Sequence, residues 1–266
     1  MKIHSKRHRD SHAIHPYTSH QVQMMMDPVK FINAYMHTPY AIGGTKQIKL
    51  HPFQEDFINC IKQNKNVIAV MPRQSGQTMT ALAFCLWESM FVVGADDTMI
   101  LTTDQMNVQP LADILKTMLN SVPAFMRPSV LQQNRTAISF AKGSRIEVAH
   151  INPSTVCGRS PTRVHLDSFA AASDQRQKDA WYTLIGTLVT SNNISMTGTP
   201  RGTTSTFAHI WREANLQIAN GKTFNDFTPF FKNVHDMTHL DPLWLQSTRK
   251  AIGESAWKSE FECQFL

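Results

Sequence analysis

The sequence has few cysteines and no long apolar run, and both shortages exclude classes of protein. Its four cysteines, Cys60, Cys85, Cys157 and Cys263, lie far apart and form no CxxC pair, so no spacing supports a disulfide scaffold or a zinc site. We predict that they are buried free thiols. No stretch approaches the roughly 18 apolar residues of a membrane span. The basic amino terminus lacks the apolar stretch of a signal peptide, so we expect a cytosolic protein without a membrane partner.

Acidic residues are also scarce: 20 Asp and Glu stand against 26 Lys and Arg, which gives a formal net charge of +6. This excess suits a polyanionic partner such as double-stranded DNA. Residues 1–26 are rich in His, Ser, Lys and Arg and have no apolar periodicity, so we predict a basic, mobile arm. The 42% apolar content is enough for the core of one large domain, which we assign to residues 27–266.

The stretch VIAVMPRQSGQTMT, residues 67–80, predicts a buried strand, a tight glycine turn and a helix. In a phosphate-binding loop, backbone N–H groups and the helix N-terminus hold the phosphates, a Lys reaches the outer phosphates, and the next Ser or Thr hydroxyl holds Mg²⁺. Gly76 and Thr78 occupy the glycine and hydroxyl positions. Gln77 stands where the Lys belongs, so the loop lacks one part.

Strand and helix patterns alternate along the chain and predict an α/β fold with a mostly parallel, doubly wound sheet flanked by helices. Segments 136–141 and 145–149 alternate with period two and predict one inserted hairpin. Asp167 closes a candidate strand, where a P-loop fold places the acid that orders the Mg²⁺ shell. Ser168 follows it, whereas active NTPases of this class carry a Glu there. Gln54 is predicted on the polar side of a helix, where its amide suits an adenine edge.

Taken together, these features resemble the ATPase domain of the large terminase, the motor that packs DNA into the prohead of tailed bacteriophages. The resemblance covers about residues 51–266. Residues 71–76 are similar to the family's P-R-Q-x-G-K-[ST] loop, and Gln54 precedes them in a helix. The hairpin, the strand-terminal Asp167 and residues 197–202, similar to the family's coupling motif, follow in the family's order.

The resemblance implies a role for each matching position. Gln54 would contact adenine, Thr78 and Asp167 would order Mg²⁺, and Mg-ATP would be the cofactor. The phosphates would be surrounded by Arg73, Gln74, Ser75, Gly76 and Gln77. Nucleotide state would be relayed by Thr197, Gly198 and Thr199. The expected setting is the cytoplasm of an infected bacterial host, with DNA, other terminase or portal-type proteins, or further copies of the chain as partners. The chain stops where the family's nuclease domain begins, so no nuclease is expected.

Three positions depart from the family: Gln77 replaces the Lys, Ser168 replaces the Glu, and Cys157 stands where the family has an arginine. Arg159 lies two residues further and is the candidate substitute, beside Arg73 and Asp167 as catalytic residues. Phosphoryl transfer depends on positioning and charge stabilisation, so these losses predict a hydrolytically impaired pseudo-ATPase.

Other interpretations stay open. One is an active packaging ATPase with relocated groups, in which Arg73 replaces the Lys, Arg159 acts in trans and Asp174 positions water. Another is that Gln77 and Ser168 were introduced to trap a nucleotide state, and a third is a non-enzymatic interaction protein that kept only the fold. The basic residues considered for DNA contact are Arg127, Arg135, Lys142, Arg145 and Arg201.

Overall fold

The computed structural model describes residues 17–188, 193–220 and 226–266, without the side chains of 186–188 and 217–220. The strands in this part of the chain are β1 (His37–Pro39), β2 (Thr45–Gln47), β3 (Asn66–Val70), β4 (Asp97–Thr102), β5 (Val130–Gln133), β6 (Ala137–Phe140), β7 (Arg145–His150), β8 (Arg163–Asp167), β9 (Ile194–Gly198) and β10 (Phe227–Phe231). The α-helices are α1 (Ser19–Met26), α2 (Pro28–Tyr35), α3 (Pro52–Gln63), α4 (Gln77–Phe91), α5 (Val108–Ser121), α6 (Pro153–Val156), α7 (Asp174–Leu188), α8 (Thr206–Asn220), α9 (Pro242–Ile252) and α10 (Glu254–Glu260).

Eight strands form one sheet in the order β10-β3-β9-β8-β4-β7-β6-β5. The six strands from β10 to β7 are parallel, while β6 and β5 continue the sheet in antiparallel pairing. Strands β1 and β2 form a separate antiparallel pair. Because parallel strands share one direction, the carboxyl ends of β3, β9 and β8 meet at one edge of the sheet. Ligands of open α/β sheets bind at this edge.

Side chains of β3 alternate between two hydrophobic cores, one on each face of the sheet. Val67 and Ala69 belong to a cluster that includes residues of α2, α3, α4 and α5. Ile68 and Val70 belong to a cluster on the opposite face, which includes residues of α7 and α8. A strand covered on both faces needs apolar residues at successive positions, which explains the continuous apolar run of β3. The predicted α/β fold with a mostly parallel sheet and an inserted hairpin is confirmed.

Part of the predicted arm is helical. Residues 1–16 lie outside the described part of the chain, but residues 19–26 form α1. A reciprocal capping box between Thr18 and Gln21 caps its N-terminus. Met24 and Met25 pack against the first core cluster. The indole Nε1 of Trp87 donates to the Met25 carbonyl oxygen at 2.8 Å. Tertiary packing therefore supports a helix that shows little amphipathic pattern in its sequence.

The four cysteines are free, as predicted, but they are not all buried. Cys85 and Cys263 are buried, Cys60 is half-buried and Cys157 is exposed. Burial raises the pKa of the Cys85 thiol to about 12, because the charged thiolate loses its hydration there. In the ranges that the structure describes, no helix has the length and apolar content to cross a membrane.

Candidate nucleotide-binding site

The loop between β3 and α4 has a backbone conformation that depends on Gly76. Gly76 caps α4 with φ +69°, in the left-handed region that favours glycine, and a Cβ there would lie 2.8 Å from Nε2 of Gln54. That Nε2 donates to the Ser75 carbonyl oxygen at 2.7 Å, while the Gln54 side-chain oxygen accepts from the His51 amide at 2.9 Å. Gln54 thus links α3 to the loop by a side-chain hydrogen bond.

This contact corrects one sequence interpretation. Gln54 does not lie on an exposed polar side of α3, because it is 5% exposed and faces the loop. Gln54 precedes Phe57 and Ile58 by three and four residues, a spacing that puts the three side chains on one face of a helix, so the sequence did carry a signal for its burial that our prediction missed. The contact of Gln54 with adenine stays a prediction.

Asp167 and Thr78 meet at the carboxyl edge of the sheet. Asp167 ends β8, is buried, and is hydrogen-bonded with the side chains of Thr78 and Ser168. Burial raises the pKa of the Asp167 carboxyl above its ordinary value of 3.8, and the two hydrogen bonds oppose that rise. Oδ1 of Asp167 is buried without a hydrogen-bond partner among the described residues. A hydroxyl and a carboxylate with an unused oxygen suit Mg²⁺, which prefers oxygen ligands.

His165 lies two residues before Asp167, so the two side chains are on the same face of β8. Its Nδ1 lies 2.9 Å from Oγ of Ser195, and its Nε2 lies 4.0 Å from Oδ1 of Asp167. Burial, with a smaller effect from the charge of Arg163, lowers the pKa of His165 to about 3. The ring is therefore neutral at pH 7 and forms no ion pair with the carboxylate. The spacing of two residues from Asp167 was a signal in the sequence that our prediction missed.

The turn after β9 contacts both the loop between β3 and α4 and the residues that follow β8. Thr197 Oγ1 accepts from the Ser168 amide at 3.2 Å, and Thr199 Oγ1 donates to the Met71 carbonyl oxygen at 2.8 Å. The Met71 amide donates to the Gly198 carbonyl oxygen at 3.2 Å. The three residues predicted to relay nucleotide state are thus placed between the loop and the end of β8. Their relay role stays a prediction.

A cavity of about 440 Å³ opens in front of the loop. It is lined by Pro72, Arg73, Gln74, Ser75, Gly76, Gln77, Thr78, Ser168, Ala171, Thr199, Arg201 and Glu260. Ser75 Oγ and Gln77 Oε1 are buried without a hydrogen-bond partner in the described residues, as is Asp167 Oδ1. Buried polar atoms are nearly always paired, so three unpaired ones at one site favour a polar ligand there.

Two of the proposed catalytic substitutes lie elsewhere. Arg159 binds Asp97 at 2.7 Å and Glu147 at 2.5 Å, and Asp97 begins β4, at the opposite edge of the sheet from the cavity. Asp174 begins α7 and accepts from Thr204 Oγ1 at 3.3 Å, and neither Asp174 nor Arg159 lines the cavity. Two acids of neighbouring strands hold the guanidinium of Arg159 away from the cavity of its own chain, and its action in trans stays a prediction.

The basic residues considered for DNA contact divide into two groups. Arg201 lines the cavity, next to Glu260. The other four each have a local partner: Arg127 with Asn120, Arg135 with Gln109, Lys142 with the Val92 carbonyl oxygen, and Arg145 with Glu147. These contacts favour local structural roles for the four, and DNA contact stays a prediction.

Replacing Asp167 by Asn is expected to stabilise the protein at pH 7 by about 1–3 kcal/mol, because the neutral amide avoids the additional cost of burying a carboxylate charge. The folded state binds the Asp167 proton more tightly than the unfolded state does, because its pKa is raised. Wild-type stability therefore falls as pH rises above 3.8 through the folded pKa. Urea unfolding curves near pH 4 and pH 7 measure this, and an equal gain at both values would contradict it.

Replacing Gly198 by Ala is expected to destabilise the protein by about 1–3 kcal/mol, because the site has no room for a methyl group. The added Cβ would lie 2.5 Å from Cβ of Ala170 and 2.9 Å from Cζ of Phe207. Thermal unfolding measures the loss. The paired change Gly198→Ala, Ala170→Gly removes the nearest clash and should recover part of it. A variant as stable as the wild type would show that the packing here is looser.

The fold defines a class: an α/β domain with a P-loop NTPase-like fold, with a glycine-containing loop after β3 and a strand-terminal acid on β8. No known protein-family model matches the sequence. Comparison with solved structures identifies the fold more specifically: the chain has the fold of the ATPase domain of phage large terminases.

Three solved structures carry this comparison. The large terminase ATPase domain of Thermus phage P74-26 is 17% identical, with a TM-score of 0.62 over 82% of this chain and 94% of that one. The large terminase of a thermophilic bacteriophage, in complex with ADP, is 10% identical, with a TM-score of 0.62 over 82% and 54%. The HK97 bacteriophage large terminase is 13% identical, with a TM-score of 0.64 over 90% and 48%. The chain thus spans about half the length of the last two.

Proposed function

We propose that this chain is a terminase-like domain of a viral DNA-packaging machinery that binds Mg-nucleotide and hydrolyses it poorly. The observation that carries the proposal is the meeting of Thr78 and Asp167 beside the phosphate loop. A hydroxyl at the start of the helix and an acid at the end of a neighbouring strand are the two groups that P-loop NTPases use to hold Mg²⁺. Structures of the large terminase from the thermophilic bacteriophage include complexes with ADP and with ATP-gamma-S.

Nucleotide phosphates would bind at the start of α4. Backbone N–H groups of the loop and the positive end of this 15-residue helix favour an anion there. Thr78 and Asp167 would hold Mg²⁺, which would supply positive charge to offset the charge of the phosphates. Asp167 is a better ligand when ionised, so metal binding would oppose the effect of burial on its pKa.

Two residues of this site account for the poor hydrolysis. Gln77 donates hydrogen bonds but brings no positive charge to the outer phosphates, where charge accumulates during phosphoryl transfer. Ser168 lines the cavity, yet its hydroxyl has no basicity at neutral pH and cannot accept a proton from water as a carboxylate can. Asp174, which would position water in an active motor, lies outside the cavity, which weighs against that alternative, while the action of Arg159 in trans stays a prediction.

The partners belong to the same proposal. We infer that the chain acts in the cytoplasm of an infected bacterial host, on double-stranded DNA and beside other packaging proteins of the terminase or portal type. The net charge of +6 supports a DNA partner. Copies of this chain would assemble with each other or with an active motor subunit.

Calorimetric titration with MgATP tests the binding step. We expect saturable binding by the wild type, loss of at least about tenfold in affinity in a Thr78→Val variant, and a similar loss for wild type in EDTA. A Thr117→Val variant, in α5 and away from the cavity, is the matched control and should bind as the wild type does. Absence of binding by the wild type would favour the alternative that only the fold was kept.

A further inference from the structure

The last residue of α10 brings a carboxylate to the cavity. Glu260 faces two arginines, with its Oε2 3.6 Å from Nε of Arg73 and its Oε1 3.7 Å from a terminal nitrogen of Arg201. Of the residues that line the cavity in the described part of the chain, these three are the charged ones. The lining thus carries two cations and one anion, and the Asp167 carboxyl lies beside Thr78 at the same site.

Backbone and hydroxyl contacts hold the end of α10 in place without the Glu260 side chain. The Arg73 amide donates to the Glu260 carbonyl oxygen at 2.9 Å. The Ser259 hydroxyl donates to the Pro200 carbonyl oxygen at 2.7 Å. The Glu260 carboxylate can therefore turn away from the arginines while α10 stays attached to the phosphate loop and to the turn after β9.

The two ion pairs are of the kind that another anion displaces. Both distances exceed a hydrogen bond, and the side chains of Arg73 and Arg201 are 60% and 51% exposed. Exposed ion pairs contribute little free energy. Phosphate oxygens accept bidentate, charge-assisted bonds from guanidinium groups, and these are shorter and stronger. A phosphate in the cavity would thus gain more from the two arginines than the Glu260 carboxylate does.

We propose that Arg201 and Arg73 together bind the terminal phosphate of the nucleotide, in place of the charge that Gln77 lacks, and that Glu260 occupies both arginines until that phosphate displaces it. This inference rests on the proposed function, since it names the phosphate ligands of the same cavity. It gives Arg201 a nucleotide-binding role, and it makes Glu260 a competitor of the triphosphate. This competition should weaken the binding of ATP more than that of ADP, because ADP lacks the terminal phosphate.

Titrations of four proteins with MgATP and MgADP test the inference. Glu260→Gln should bind MgATP roughly tenfold more tightly than the wild type, and Arg201→Gln roughly tenfold more weakly, with smaller changes for MgADP. The matched control is Glu254→Gln, which lies on the same helix and pairs with Arg249 outside the cavity. It should bind both nucleotides as the wild type does. Circular dichroism melts verify that each variant is folded.

The outcomes distinguish the two proposals. Wild-type binding that neither Glu260→Gln nor Arg201→Gln alters would overturn this inference and leave the proposed function standing. Equal changes for MgATP and MgADP would overturn the assignment to the terminal phosphate. Absence of binding by the wild type and by Glu260→Gln alike would overturn both, because the variant removes the competing carboxylate.

Discussion

The double change Gln77→Lys, Ser168→Glu is expected to raise the rate of ATP hydrolysis by at least about 10³-fold, since it restores a charge on the outer phosphates and a carboxylate for the attacking water. Both positions line the cavity. Ser168 has φ +51°, in the left-handed region. Because a residue with a side chain already adopts this conformation in the wild type, we expect that Glu can adopt it too. Phosphate release with MgATP, with and without double-stranded DNA, measures the gain.

A second variant separates chemistry from binding. Gln77→Lys, Ser168→Gln has the same loop charge and nearly the same side-chain size, but no carboxylate at position 168. It should bind MgATP as tightly as the first double variant and release phosphate at the background rate. Hydrolysis by this control, or none by the variant that carries Ser168→Glu, would mean that the catalytic register assigned to Ser168 is incorrect.

Replacing Glu88 by Ala is expected to destabilise the protein by about 3–5 kcal/mol, because it leaves a buried arginine without its counter-ion. Glu88, near the end of α4, accepts hydrogen bonds from Nε and a terminal nitrogen of Arg163, the first residue of β8. Arg163 also lies over the Phe84 ring, with its guanidinium carbon 5.2 Å from the ring centroid. Chemical denaturation measures the loss.

Two further variants identify the cause of that loss. The paired change Glu88→Leu, Arg163→Met removes both charges and should recover most of the stability, since apolar side chains can replace a buried pair. Glu254→Ala breaks the exposed pair with Arg249 and should leave the unfolding midpoint unchanged. If Glu88→Ala lowers the free energy of unfolding no more than Glu254→Ala does, the Glu88–Arg163 pair contributes little to stability.

The central parallel strands were predictable from the sequence because they are buried on both faces. In β3, residues 67–70 form a continuous apolar run that ends at the loop, and Asp167 marks the end of β8. Strand β5 was not predicted, since its four residues are all exposed and therefore carry no burial pattern. The insertion of β9 between β3 and β8 is set by long-range pairing, which no local pattern encodes.

Residues of the site that belong to a recognisable motif were predicted from the sequence. Residues that only the packing of distant segments brings to the site were missed. Gly76, Thr78 and Asp167 follow from motif positions, and the structure brings them together. Glu260 lies far beyond Arg73 in the chain, so only the packing of α10 on the loop reveals it. Arg159 was chosen because it lies two residues from the position of the missing arginine, whereas two acids, Asp97 and Glu147, determine where its side chain lies in this chain.

The wild-type site is expected to bind Mg-nucleotide and to hydrolyse it very slowly. The most direct test mixes excess wild-type protein with radiolabelled MgATP and double-stranded DNA, quenches the bound complex at intervals, and separates ATP from ADP. We predict that the bound nucleotide is recovered as ATP over many minutes. Conversion of bound ATP to ADP within seconds would contradict the pseudo-ATPase assignment, and it would direct attention to catalytic groups outside the cavity described above.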